Sequence, residues 1–186
     1  MQPRIACYGR PGAGKSTFTA ALAREFEDAG QPAAVLKIGA PLYELQGHVY
    51  LAAGHPAPAA GQQDGALLNT LASHLRRINP SCLTDSFARA VARREMDEPG
   101  VVVLCDDLRA PDVDALAGLG FRFVQVWAPD DLRALRKAGR GDLSAGDETH
   151  ESEREIAITP HFRVENTGSL EMLRARAAEV ASAVTG

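Results

Sequence analysis

The sequence predicts an α/β fold: a three-layer, doubly wound sandwich with helices on both faces of a five-stranded parallel sheet. Short apolar runs alternate along the chain with longer segments of helical periodicity, the pattern of strands joined by crossover helices. The most apolar run, GVVVLC at 100–105, has no polar alternation and reads as a strand covered on both faces. With 45% hydrophobic and 24% charged residues, a chain of 186 residues suits one compact core.

The strands are expected at 3–8 (PRIACY), 33–38 (AAVLKI), 100–105, 121–127 (FRFVQVW) and 162–165 (FRVE), with the third the best candidate for a central strand. The first helix is expected from Ser16 to about Ala29. Phe18, Leu22 and Phe26 recur there at i, i+4 and i+8, Arg24, Glu27 and Asp28 take the other faces, and Gly30 fits the position after the cap. The segment between strands two and three is too long for a loop and reads as helices near 41–53, 64–78 and 80–95. Asn79-Pro80 reads as N-cap and first residue of the last of these, and 51–62 as a Gly/Pro/Ala-rich loop. Leu170, Leu173, Ala177, Val180 and Val184 form the apolar stripe of a final helix.

A formal charge of −4 offers no broad footprint for nucleic-acid phosphates or anionic lipid, so no nucleic acid and no membrane partner is expected, and an anion needs a local cluster. Cys7, Cys82 and Cys105 stand far apart without a CxxC pair, which argues against a zinc site or a disulfide framework, and Cys7 and Cys105 read as core residues. The first residues show no signal segment and no run is long enough to span a bilayer, so the expected location is cytoplasmic. A homodimer is left open.

Gly9-Arg10-Pro11-Gly12-Ala13-Gly14-Lys15-Ser16 fits GxxxxGK[ST] between a predicted strand and an amphipathic helix, the context that gives the pattern its meaning. Glycines let backbone amides curl around a phosphate, and the helix adds unpaired N–H groups and its positive end. ATP with Mg²⁺ is the expected cofactor pair. Arg10, Gly12, Ala13, Gly14, Lys15, Ser16 and Thr17 are the candidate contacts, with Lys15 on the β/γ-phosphates and the Ser16 hydroxyl on the metal.

The third strand runs into Asp106-Asp107-Leu108-Arg109, placing carboxylates at the carboxyl edge where open α/β sheets bind ligands. Asp107 is the first choice for holding Mg²⁺, through water, and Asp106 the second. From here the chain resembles the phage-type deoxynucleoside monophosphate kinases, within the P-loop kinase superfamily. The resemblance rests on the Asp107-Leu108-Arg109 turn followed by Ala110-Pro111 and Gly120-Phe121, and on INP at 78–80 after Arg76 and Arg77. It continues in Arg140-Gly141-Asp142, in His150-Glu151-Ser152-Glu153, and in Glu165-Asn166-Thr167-Gly168-Ser169-Leu170. It implies phosphoryl transfer to a nucleoside monophosphate, an acceptor-binding helical unit over about 41–95, a lid over about 138–153, and a phosphate contact at Arg76. Two positions depart from the family: Asp64-Gly65 stands where an arginine precedes a Leu-Leu pair, and Val113 where an acid follows the turn. Both leave the acceptor open, a modified nucleotide included.

A kinase must neutralise the transferring phosphoryl and exclude water. Arg133, Arg136 and Arg140 follow the fourth strand at helical spacing, and Gly139, Gly141 and Gly146 suit a hinged lid; alternatively these arginines pair with Asp130, Asp131 and Glu153 on a solvated face. Lys37, at the end of the second strand, Tyr43, as a ring for stacking on a base, and Asp107 and Arg109 complete the acceptor candidates. Gln62, Gln63 and Asn69 offer amides for base edges. His48, His55, His74 and His161 have no metal-ligand spacing. The competing functions are a kinase of another small phosphorylated or sugar-like metabolite and an ATP-binding protein without transfer. A GTPase-like switch lacks its NKxD segment, and Asp97-Glu98-Pro99-Gly100 precedes the third strand instead of ending it.

Overall fold

A computed structural model of the chain describes residues 2–59, 61–139, 143–144 and 156–185. Five strands, β1 (Arg4–Tyr8), β2 (Ala33–Val35), β3 (Val102–Cys105), β4 (Arg122–Trp127) and β5 (Phe162–Glu165), form one parallel sheet in the order β2-β3-β1-β4-β5. The helices are α1 (Lys15–Asp28), α2 (Ala40–Ala52), α3 (Gly65–Ile78), α4 (Cys82–Asp97), α5 (Val113–Gly118), α6 (Asp130–Ala138) and α7 (Leu170–Thr185). No helix among the described residues is long and apolar enough to cross a membrane.

Period-two alternation of the strands sorts side chains into two cores. Ile5, Cys7, Val102, Leu104, Val124 and Val164 face α1 and α7, where they meet Phe18, Leu22, Phe26, Leu173 and Val180. Ala6, Tyr8, Val103, Cys105 and Phe123 face the other way, onto Leu83, Phe87, Val91 and Leu116 of α4 and α5. The register keeps each layer level: Ala6 stands between Cys105 and Phe123. This is the three-layer sandwich the sequence predicts, with the stripe of α1 fully buried as its spacing requires.

β3 is an inner strand, as its apolar run predicts, one place from the middle, which β1 takes; α1 and α4 cover its two faces. Two local expectations are corrected. β2 ends at Val35, so Lys37 lies beyond the strand, although Leu36 N still donates to Leu104 O at 2.8 Å. Asn79-Pro80 does not open α4. Asn79 closes α3, and its Oδ1 accepts from the amide and hydroxyl of Ser81, the residue that caps α4. Residues 110–118, given no element by the sequence, form a 3-10 turn (Ala110–Asp112) running into α5, which is too short for apolar periodicity to reveal.

Candidate functional site

The candidates that follow β1 and β3 lie at the carboxyl edge of the sheet, because each strand of a parallel sheet delivers its following loop to that edge. β1 leads into the glycine loop. Gly14 caps α1 with φ +95°, and a Cβ there would lie 2.2 Å from Asn166 Nδ2; a Cβ on Gly12, φ +81°, would lie 2.6 Å from Arg133 O. Both positions therefore require glycine twice over, for conformation and for space. Lys15 Nζ donates to Gly9 O at 2.7 Å and Arg10 O at 3.4 Å, which places the ammonium across the loop. Ser16 and Thr17 are exposed on the first turn of α1, and Arg10 is exposed on the loop.

The two aspartates after β3 divide by face. Asp106 continues the parity of Val102 and Leu104 and turns toward α1, where its carboxylate lies near the Ser16 hydroxyl and accepts from Lys37 Nζ at 2.8 Å. It is 5% exposed. Burial alone would raise its pKa, but the bonds from Lys37 and Ser16 and the charge of Lys15 hold it below the ordinary carboxylate value. Burial likewise works to lower the Lys37 pKa, and Asp106 and Asp107 outweigh it to hold the ammonium above its usual value. Asp107 has the opposite parity. Its Oδ1 accepts from Ile38 N and its Oδ2 from Gly39 N, both at 2.9 Å, and the Cys105 thiol donates to Oδ1 at 3.3 Å. Of the two candidate carboxylates, Asp106 thus lies on the Ser16 side, while Asp107 fixes the chain after β2.

Of the arginines on α6, Arg133 makes a pair that its spacing left open. It is buried, donates from Nη1 to Pro11 O at 3.0 Å and from Nη2 to Asp130 Oδ1 at 2.7 Å, and so braces the glycine loop. Arg136 spans the loop and the end of β5, reaching Ala13 O at 3.5 Å and both oxygens of Asn166 at 3.3 Å. Asn166, buried, donates in turn to Ala13 O at 2.8 Å. Its place in the 165–170 motif was a sequence signal, but nothing there shows that it grips the glycine loop. Arg140, with Gly141, Asp142, Gly146, His150, Glu151, Ser152, Glu153 and most of the expected lid, lies outside the described residues.

On the β2 side, the Tyr43 ring packs over Gly39, and its hydroxyl accepts from Gln63 Nε2 at 3.2 Å. Burial first, then the charge of Asp107, raises the Tyr43 pKa; Lys37 and Arg109 act in the opposite sense, which places Arg109 close by. Arg76 does not present itself to a phosphate. Its Nη2 donates to both oxygens of buried Asp112, at 2.8 and 2.9 Å, so the acid expected at Val113 stands one residue earlier. Burial raises the Asp112 pKa despite the arginine beside it.

Asp64, where the resemblance expects an arginine nearby, caps α3 through Leu67 N and also holds Tyr50 Oη and Ser144 Oγ. Buried Gln46, unmarked in the sequence, ties down the same loop by accepting from Asp64 N and donating to Gln62 O.

A hard cation seeks oxygen donors, and Ser16 with Asp106 supplies a hydroxyl and a buried carboxylate near one another; this pair fits Mg²⁺ held partly by a nucleotide. Among the described residues no group of three or more His, Cys, Asp or Glu could hold a metal unaided.

No family model and no curated protein matches the chain. Solved structures do. The APS kinase of Mycobacterium tuberculosis, in complex with AMPPNP and APS, is 21% identical over 100% of this chain and 98% of its own, with a TM-score of 0.55. The protein TT1252 of Thermus thermophilus is 24% identical over 100% of both chains, TM-score 0.57, and shikimate kinase of Acinetobacter baumannii, bound to shikimate, is 15% identical over 100% and 94%, TM-score 0.51. At these identities the likeness speaks for architecture alone: the chain shares the α/β fold of these structures.

Proposed function

We propose that this chain is a phosphotransferase that moves the γ-phosphoryl of Mg-ATP to a small acceptor, a (deoxy)nucleoside monophosphate or a modified one. The observation that carries this reading is the buried Asp106 carboxylate, which lies near Ser16 of the glycine loop and holds Lys37 at 2.8 Å on the Tyr43 side of the edge. In a transfer reaction an acceptor oxygen bonds to the γ-phosphorus as the bond to the β–γ bridging oxygen breaks and ADP leaves. The amides of Gly12, Ala13 and Gly14 would cradle the phosphates, and Lys15 would exchange the carbonyls of Gly9 and Arg10 for the β/γ oxygens. Ser16 and Asp106 would hold Mg²⁺, which would supply neutralising charge to those oxygens. Arg136 and Asn166 border the cradle, Arg133 and Asp107 position its two flanks, and Arg10 and Arg140 are the further cations assigned to the transferring group. Lys37, Tyr43 and Arg109 receive the acceptor.

One observation favours a second reading. The bidentate Arg76–Asp112 pair occupies the arginine that the family resemblance assigns to an acceptor phosphate, which suits another small phosphorylated or sugar-like metabolite. ADP release from Mg-ATP across nucleoside monophosphates, deoxy and base-modified ones included, with sugar phosphates alongside, tests both. Turnover with a nucleotide supports the first reading and turnover with only a sugar phosphate the second. Nucleotide binding without ADP release across the panel would overturn the transferase reading.

A further inference from the structure

The two aspartates after β3 act on one residue in two ways. Asp107 takes the amides of Ile38 and Gly39, the two that follow Lys37, and so fixes the backbone beside it. Asp106 takes the Lys37 ammonium. The lysine thus has a pinned base and, among the described residues, Asp106 as its ion-pair partner, on a four-carbon stem whose side chain is 39% exposed. Asp107 and Tyr43 also act on its charge. Asp106, by contrast, is almost wholly enclosed and lies near Ser16 as well. A cation held by Ser16 would need this same carboxylate, and two positive charges cannot share one enclosed carboxylate without strong mutual repulsion.

Resting on the proposed ATP site, we propose that Lys37 and nucleotide-bound Mg²⁺ compete for Asp106, so that arrival of the metal nucleotide releases the Lys37 ammonium toward an anionic group of the acceptor beside Tyr43. Lys37 is then a coupling residue: it makes the acceptor side more cationic when the phosphoryl donor is in place. By linkage, an anionic acceptor engaging Lys37 also strengthens metal-nucleotide binding. The exchange breaks no covalent bond; it trades one ion-pair partner for another.

The test measures binding, with Mn²⁺ and ADP as probes. Affinity for Mn²⁺·ADP is read from the electron paramagnetic resonance of free Mn²⁺, and affinity for ADP alone by calorimetry in chelator, for wild type, Lys37→Met and Lys37→Arg. Lys37→Gln replaces the first variant if circular dichroism shows it unfolded. Loss of the competing charge is expected to tighten Mn²⁺·ADP binding threefold or more, with no tightening for ADP in chelator and near wild-type values for Lys37→Arg. Equal or weaker Mn²⁺·ADP binding in the uncharged variant overturns the competition, as does equal tightening with and without metal. Failure of the wild-type protein to bind ADP under either condition would instead overturn the ATP-site reading, and this proposal with it.

Discussion

Single residues at the sheet edge differ in how far the sequence exposes them. Gly12, Gly14, Lys15 and Ser16 are legible because their spacing is itself the geometry. The order of Asp106 and Asp107 is hidden by a parity problem: neighbours on a strand point to opposite faces, and deciding between them requires knowing that α1 covers the face of Val102 and Leu104. Removing the loop ammonium in Lys15→Ala is expected to lower transfer about 100- to 1000-fold with the far-ultraviolet spectrum unchanged; unaltered turnover would exclude the ATP assignment. The cysteines give an independent check on packing. Burial pushes the Cys7 thiol to about 12 and raises Cys105 well above its usual value, whereas Cys82 is only half-buried. A thiol reagent at neutral pH is therefore expected to modify Cys82 alone until denaturant is added. The Lys37–Asp106 pair sets a pH window. The lowered carboxylate keeps its contribution above the ordinary carboxylate value and loses it as pH falls through the folded pKa. The raised ammonium keeps its own below the ordinary lysine value and loses it as pH climbs through its folded pKa. The stability difference between wild type and Lys37→Met should be flat between these limits and shrink outside them, as read by chemical denaturation across pH.

Among the elements, α1 was the most predictable, since its stripe of Phe18, Leu22 and Phe26 has one place to go. Leu22→Ala should cost about 2–5 kcal/mol in chemical denaturation, because the cavity would open between the sheet and α7 where neither can collapse freely. The helices between β2 and β3 were legible as helices but not in their joints. Asn79 and Ser81 exchange the roles the sequence suggests because the polar pair between α3 and α4 serves both ends at once. The start of α3 is more consequential. Leu143 N donates to Gln63 O, Ser144 Oγ to Asp64, and Gln63 in turn reaches Tyr43, so Leu143 and Ser144 sit on the loop before α3. Ser144→Ala removes two hydrogen bonds, to Asp64 and from Ala66 N, without removing the Asp64 cap. It should lower the melting temperature by only a few degrees. Asp64→Ala should also lose about 1 kcal/mol of stability through the cap itself.

For the whole molecule, five strands and their alternation with helices could be read directly, but their order could not. Apolar content reports how well a strand is covered, and β3, covered as fully as β1, gives no sign of standing one place from the centre. Nor does the sequence show which distant segments close on one another. Gly14 approaches Asn166 so tightly that no side chain fits between them, and Asn166 and Arg136 hold the carbonyl of Ala13. The glycine loop is spelled at residues 9–16, yet its shape is completed by Asn166, 153 residues beyond the carbonyl it grips. A nascent chain halted before Phe162 would carry the whole motif without the residue that braces it. If the loop holds a nucleotide as proposed, that competence should appear abruptly during synthesis, with emergence of β5.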